Sequence, residues 1–378
     1  MIEAFFWLCL LLSVYSYFLY PLLLAVLHAG WRRPAPQVTA PAAAIPLTVV
    51  VTAYNEQARI RAKIDNTLAL DFPGLEMIVA SDCSSDATDS IVREYAARGV
   101  QLVRAPERLG KENAQLHAIR AARGEVIVFS DVATQIPPDA LRTLVEYFRN
   151  PGIGAVSSED RFITAAGSVA GEGAYVRYEM WLRRMESDLA GLVGLSGSFF
   201  AARKSVCAQW DIHAPSDFNT ALNCARVGLR AVTAPDVLGY YRDLADPQKE
   251  YQRKVRTVLR GMTAVARHPD VLNIFRFGLF AWQVWSHKIM RWLVPWFLLL
   301  SFVTNWLLLG VRPLYTAILL GQLAFYGAAL LAHVSESAKR NGVVRIIYFF
   351  VQANVAVADA LRRLLTGKRM TTWQPSAR

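Results

Sequence analysis

Residues 4–30 contain no Asp, Glu, Lys or Arg, and a helix of about 20 such residues crosses the hydrocarbon core of a bilayer. No wholly soluble fold accommodates that stretch. A secretory signal fits poorly, because it wants a basic start, a shorter apolar core and a small-residue cleavage site, whereas this segment begins with Glu3 and is followed by Trp31, Arg32 and Arg33. The two arginines put its C-terminal end in the cytoplasm by the positive-inside rule. Apolar character returns after about residue 270: 293–311 and 313–334 are uncharged runs separated by Arg312 and read as a helical hairpin through the bilayer. Residues 275–292 mix aromatics with His287, Lys288 and Arg291, which suits an interfacial helix. The run 346–358 is short and carries Gln352 and Asn354; if it crossed, the basic tail with Arg362, Arg363, Lys368 and Arg369 would end outside. Three crossings, a last interfacial or docked helix and a cytoplasmic C-terminus follow.

The chain is basic as well as apolar, with a formal net charge of +11 and 54% hydrophobic residues, a pairing that points to a membrane surface. Nucleic acid is not an expected partner, since the Lys and Arg form no dense patch interleaved with aromatics and no recognition module is visible. Cys9, Cys83, Cys207 and Cys224 show neither C-x-x-C pairing nor zinc-like spacing and read as packed, reduced thiols.

Between the apolar segments the texture changes. A linker rich in Pro and Ala covers 34–46. Short β-branched runs near 47–52, 76–80, 101–104, 125–129 and 230–233 predict strands, and amphipathic stretches over 56–70, 88–98, 111–123 and 138–148 predict helices between them. Such alternation makes an α/β domain with a mostly parallel sheet covered on both faces, whose ligands sit beyond the carboxyl ends of the strands.

Acids stand at those ends. Asp82, in "IVASDCSSDATDS" (78–90), can accept hydrogen bonds from a base or ribose; Asp131, in "VIVFSDVAT", can hold a divalent cation bridging two phosphates; Asp217, in "HAPSDFNTAL", opens a predicted helix as general base or N-cap. Taken singly, an Asp at a strand-to-helix turn is more often a cap than a ligand. A dinucleotide-binding oxidoreductase needs a Gly-rich turn after the first strand, and "VTAYNEQ" has no glycine.

The ordered set "VVVTAYNE", "SDCSSDAT", "LGKENAQLHA", "VFSDVAT", "GLSGSFFAARKSV" and "PSDFNTALNCARVGLRAV" resembles the family 2 glycosyltransferases, membrane-bound inverting enzymes with the GT-A fold, over about residues 47–260. The resemblance implies that Thr52, Ala53, Tyr54 and Glu56 form the first nucleotide-binding loop and that Asp82 contacts the base, with Ser81 in place of the family's first acid. It implies Lys111 near the nucleotide, Asp131 as the first acid of the DXD metal motif with Ala133 in place of the second, and Asp217 as catalytic base behind Ser216. Processive relatives carry QxxRW downstream; here Gln252 is followed by Val255 and Arg256 at the Arg and Trp positions, and Arg253 and Arg256 are left as candidates to draw negative charge from the leaving diphosphate. Lys254 stands between them, and the alternative for this basic helix is anionic lipid headgroups. The tail "TTWQPSAR" and "SHKIMRWLVP" resemble segments of membrane-bound members without a chemical step, and Trp373 reads as an interfacial anchor.

The expected organisation is an N-terminal transmembrane helix (1–33), a linker (34–46), a cytosolic GT-A domain (47–270), an interfacial helix (271–292), a transmembrane hairpin (293–334) and a cytosolic helix and tail (335–378). The implied partners are a nucleotide-sugar donor, a UDP-sugar first among them, a lipid-linked or glycan acceptor and membrane lipids; the implied cofactor is Mg2+ or Mn2+. The implied place is a bacterial inner membrane, with the catalytic domain cytoplasmic. A processive synthase extruding its own polymer is the competing enzyme, and a non-catalytic membrane scaffold with a degenerate nucleotide-binding domain is the competing class.

Overall fold

The computed structural model describes residues 1–30, 45–163, 174–242 and 247–367. Arg32, Arg33, most of the 34–46 linker, Lys368, Arg369 and the Trp373 tail lie outside the described residues. The described chain divides into two compact units, one of residues 27–30, 45–163, 174–242 and 263–281, the other of 1–26, 247–262 and 282–367.

The first unit is built on a seven-stranded sheet: β1 (Leu47–Ala53), β2 (Glu76–Ser81), β3 (Val100–Arg104), β4 (Val126–Asp131), β5 (Ile153–Ile163), β6 (Phe199–Arg203) and β7 (Arg230–Arg242), in the spatial order β3-β2-β1-β4-β6-β5-β7. β1 pairs in parallel with β2 and β4, and β2 with β3. β6 runs antiparallel to both β4 and β5, and β5 is parallel to β7. Helices α1 (Ile60–Leu68), α2 (Thr88–Glu94), α3 (Lys111–Ala121), α4 (Ala140–Tyr147), α5 (Ala174–Leu189) and α6 (Ser216–Arg226) join the strands.

Both sheet faces are covered, so the central strands are apolar throughout rather than alternating. Every residue of β1 is buried. Val49 and Val51 face one way onto Ile60, Ile64, Leu141 and Leu144, while Val50 faces the other core with Ala114, Ala118, Phe200 and Ala221. Each such Val, Ile or Leu contributes about 1.5–3 kcal/mol on burial. The strands expected at 47–52, 76–80, 101–104, 125–129 and 230–233 are present; β5 and β6 were not anticipated.

Register decides what meets at the functional edge. Ala53 lies opposite Ser81, and Thr52 opposite Asp131, so the first loop, Asp82 and Asp131 leave the sheet side by side. Because β6 is reversed, its entry, with Ser130 opposite Phe199, brings residues 196–198 to that same edge.

The second unit holds apolar helices. Among the described residues four helices are long and apolar enough to cross a membrane: Ile2–Gly30 and, after the amphipathic α7 (Pro247–Arg267), α8 (Leu279–Leu307), α9 (Pro313–Val334) and α10 (Gly342–Leu365). α8 is one continuous 29-residue helix, so the interfacial segment 275–292 and the first arm of the hairpin merge beyond Gly278. α10 is 24 residues long, beyond the 346–358 run, because Asn341 caps it at the N–H groups of Val343 and Val344. The N-terminal helix widens to a π turn at Tyr15–Leu19, just before Pro21, whose ring clashes with the carbonyl four residues back. A second π turn, Trp285–Ile289, lies against it, and Tyr15 Oη meets Ser286 Oγ at 2.9 Å. The four cysteines are free thiols, as their spacing predicts.

Candidate active site

At the edge where β1, β2 and β4 end and β6 begins, the backbone is unusual in two places. Asn55 and Cys83, just past β1 and β2, have φ of 51° and 57°, a conformation that costs a non-glycine residue about 1–3 kcal/mol and clusters at functional sites. Asp82, between them in space, is fully buried. The N–H of Gly110 donates to its Oδ1 at 3.1 Å, and its Oδ2 is buried with no partner among the described residues. Gly110 reaches there with φ 109°, a left-handed value that favours glycine, and α3 starts at the next residue. Burial pushes the Asp82 carboxyl up and the Gly110 N–H pulls it back. The other acids of 78–90 are consumed locally: Asp86 accepts from the backbone and hydroxyl of Thr88, and Asp89 accepts from Ser81 Oγ and pairs with Arg104.

The first loop borders this oxygen. Thr52 and Ala53 are buried, the Thr52 hydroxyl without a partner among the described residues, and the Tyr54 ring lies under the Arg108 guanidinium at 3.9 Å. Glu56 donates its N–H to Thr88 Oγ1 at 2.7 Å and pairs with Arg59 at 2.6 Å; burial raises its carboxyl pKa and the Asp131 charge adds to that.

Lys111, the first residue of α3, carries the link to the reaction side. Its Nζ donates to Asp131 Oδ1 at 2.6 Å and to the Gly197 carbonyl at 3.0 Å. Asp131 keeps a quarter of its side chain exposed, with Oδ2 bonded to nothing among the described residues. A methyl group on Gly197 would stand 3.2 Å from Asp217 Oδ2. Asp217 sits in the first turn of α6 without capping it, since Pro215 holds the N-cap position, and no described residue donates to its carboxylate. Glu112 Oε1 accepts from the Ser216 N–H at 3.4 Å, joining the first turns of α3 and α6. Asp82, Lys111, Asp131 and Asp217 therefore form one continuous site.

Gln252, Arg253 and Arg256 belong to α7 in the other unit. Val255, at the Arg position of QxxRW, is fully buried there with Leu259, Met262, Ala356 and Ala360, so packing occupies the place of a phosphate-binding cation. Four site residues went unassigned from sequence. Lys63, on an apolar face with Ile60, Ile64 and Thr67, donates to Ser130 Oγ at 2.8 Å and the Thr134 carbonyl at 2.6 Å behind Asp131. Arg183 of α5 interacts through its charge with both Asp217 and Asp160, Gly197 in the loop before β6 faces Asp217, and Asp160 of β5 bonds to Ser196 and Ser198 on either side of that glycine. A lysine among apolar neighbours, and the Ser-Gly-Ser of 196–198, were the available signals.

Residues 48–209 match the family model described as Glycosyl transferase family 2. The chain carries a family 2 glycosyltransferase domain. It is 30% identical over 173 residues to a poly-beta-1,6-N-acetyl-D-glucosamine synthase of Staphylococcus epidermidis, taking in 44% of this chain and 42% of that protein. It is 27% identical over 197 residues to a beta-monoglucosyldiacylglycerol synthase of Synechocystis, taking in 49% and 41%. The chain thus spans less than half the length of these curated relatives. Among solved structures, the mannosyltransferase PcManGT from Pyrobaculum calidifontis, in complex with GDP-Man and Mn2+, superposes with TM-score 0.73 at 24% identity, covering 98% of this chain and 100% of that one. The fold is GT-A.

Proposed function

We propose that the family 2 domain moves a sugar, with inversion, from a nucleoside-diphosphate sugar to a membrane-associated acceptor, lipid-linked or glycan, in envelope or exopolysaccharide synthesis. The observation that carries this is the Lys111 ammonium, which ties Asp131 to the carbonyl of Gly197, a residue on which a methyl would stand 3.2 Å from Asp217 Oδ2. A diphosphate and an acceptor hydroxyl thereby meet in one place. Asp82 Oδ2 takes a base that offers an edge N–H, as uracil does at N3. Lys111 offers its charge to the departing phosphates.

The oxygens at Asp131 suit a hard divalent cation: one carboxylate plus substrate phosphates is the usual Mg2+ set, and Oδ2 is open to it. Such an ion supplies positive charge to the leaving diphosphate. The acceptor hydroxyl gives its proton to Asp217, to whose carboxylate no described residue donates, and its oxygen enters the anomeric carbon opposite the diphosphate.

Single transfer is preferred to processive extrusion, because buried Val255 stands where processive relatives place Arg. The sequence and its four apolar helices support a bacterial inner-membrane, multi-pass protein with the family 2 domain in the cytoplasm.

The test is D217N in the full chain, with UDP- and GDP-sugars as donors and membrane extract as acceptor. Donor affinity should hold while transfer falls by about 100-fold or more. Product sizing separates single addition from polymer, and unchanged turnover would remove Asp217 from its role.

A further inference from the structure

We infer that Asp160 is a positioning residue of this site, clamping Ser196 and Ser198 so that the Gly197 peptide between them is fixed against Lys111 and Asp217. The inference rests on the transferase reading above. Asp160 stands on β5, opposite Gly239 of β7, so strand pairing holds it. Its Oδ2 accepts from Ser196 Oγ and its Oδ1 from Ser198 Oγ, each at 2.6 Å, the short length of a charge-assisted bond. One carboxylate thus grips both residues flanking a glycine. A second anchor acts at the same point: Ser157 Oγ accepts from the Ser196 N–H at 2.8 Å and from Arg183 at 2.9 Å. Burial pushes the Asp160 carboxyl up, while the two hydroxyls and the Arg183 charge hold it down.

The clamped loop bonds to Lys111 and Asp131 and borders Asp217. The Gly197 carbonyl accepts from Lys111, the Ser198 carbonyl accepts from the Asp131 N–H at 2.9 Å, and Gly197 faces Asp217 Oδ2. Asp160 itself is no base, because both of its oxygens are taken. It acts through the loop, on where the base and the ammonium sit.

The experiment uses the full chain in detergent with UDP-N-acetylglucosamine, UDP-glucose and GDP-mannose as donors and membrane extract as acceptor, reading free nucleotide release. D160A should lower kcat about tenfold or more with donor KM within about threefold. D160N, which still accepts one hydroxyl, should recover part of the loss. The S196A/S198A pair should reproduce the D160A defect, and the triple variant should be no worse. That pair also answers the question if D160A fails to accumulate. A wild-type kcat per folded molecule in D160A or in S196A/S198A, or losses that simply multiply in the triple variant, would overturn the clamp while leaving the transferase reading intact. Absence of nucleotide release by the wild type from every donor would overturn both.

Discussion

Lys63 points its ammonium into the protein, 3% exposed, to two oxygens of the turn that carries Asp131. Burial lowers its pKa from 10.5 to about 7, with the Asp131 charge pulling it back up, and a neutral amine has the two N–H groups that Ser130 and Thr134 require. The sign follows from proton counts. Between the two values the unfolded chain binds a proton that the folded chain does not, so stability rises with pH across that window and the cost is present in full below about 7. K63M removes the titration. We expect the melting temperature of the wild type to gain on that of K63M as pH rises from 7 toward 10.5, read by thermal scans across the window. We also expect K63M to raise donor KM about three- to tenfold, since about 1 kcal/mol per lost hydrogen bond no longer steadies the Asp131 turn. Asp82, Asp131 and Asp217 were legible in the sequence because each stands where an apolar strand stops or a helix begins. Lys63 and Asp160 were not, because their partners lie 67 and 36 or more residues away and exist only once the sheet has formed.

At the level of elements, β5 was hidden by its own composition. Ser157, Ser158, Glu159, Asp160 and Arg161 read as loop, yet Ser157 and, past a register shift at Ser158, Glu159, Asp160 and Arg161 pair with β7, and tertiary pairing overrides local preference. β6 is short, "FFAAR", with two alanines among its five residues, and its reversed direction has no sequence signature at all. The helix expected from 56 begins only at Ile60, because Asn55 and Glu56 are taken by the loop beside Asp131. β5 also supplies a sharp stability test. A methyl on Gly154 would stand 2.8 Å from Leu229 Cβ and 2.9 Å from Cys224 Sγ, so G154A should cost about 1–3 kcal/mol by overpacking. Its place at the strand start, away from Asp160, predicts a lower melting temperature with kcat per folded molecule unchanged.

For the whole molecule, the apolar segments were the plainest reading, since length and the lack of charge alone declare them. What composition did not disclose was their detail: the facing π turns, and the packing of α7 on α10 through Val255, Leu259, Ala356 and Ala360. α10 has the length and apolar character of a crossing helix, yet only 346–358 of it is free of charge and its end carries Arg362 and Arg363, which the positive-inside rule keeps on the cytoplasmic side. We expect a cytoplasmic C-terminus: a C-terminal fluorescent fusion should glow, and a phosphatase fusion that works only in the periplasm should stay silent. The reverse pattern would make α10 a fourth crossing.

The grip of Lys111 on the Gly197 carbonyl sets a timetable. A neutral carbonyl is a weak rival for an ammonium once two phosphates arrive, so under the proposed function an incoming nucleotide is expected to draw Lys111 off the Gly197 carbonyl, leaving that peptide to its serine anchors, before any second substrate is engaged. Such a catalyst should work in compulsory order, donor first and spent nucleotide last. Product-inhibition kinetics would register it, with nucleoside diphosphate competitive against donor and not against acceptor; random arrival would leave the lysine's bond to Gly197 without influence on the sequence of events.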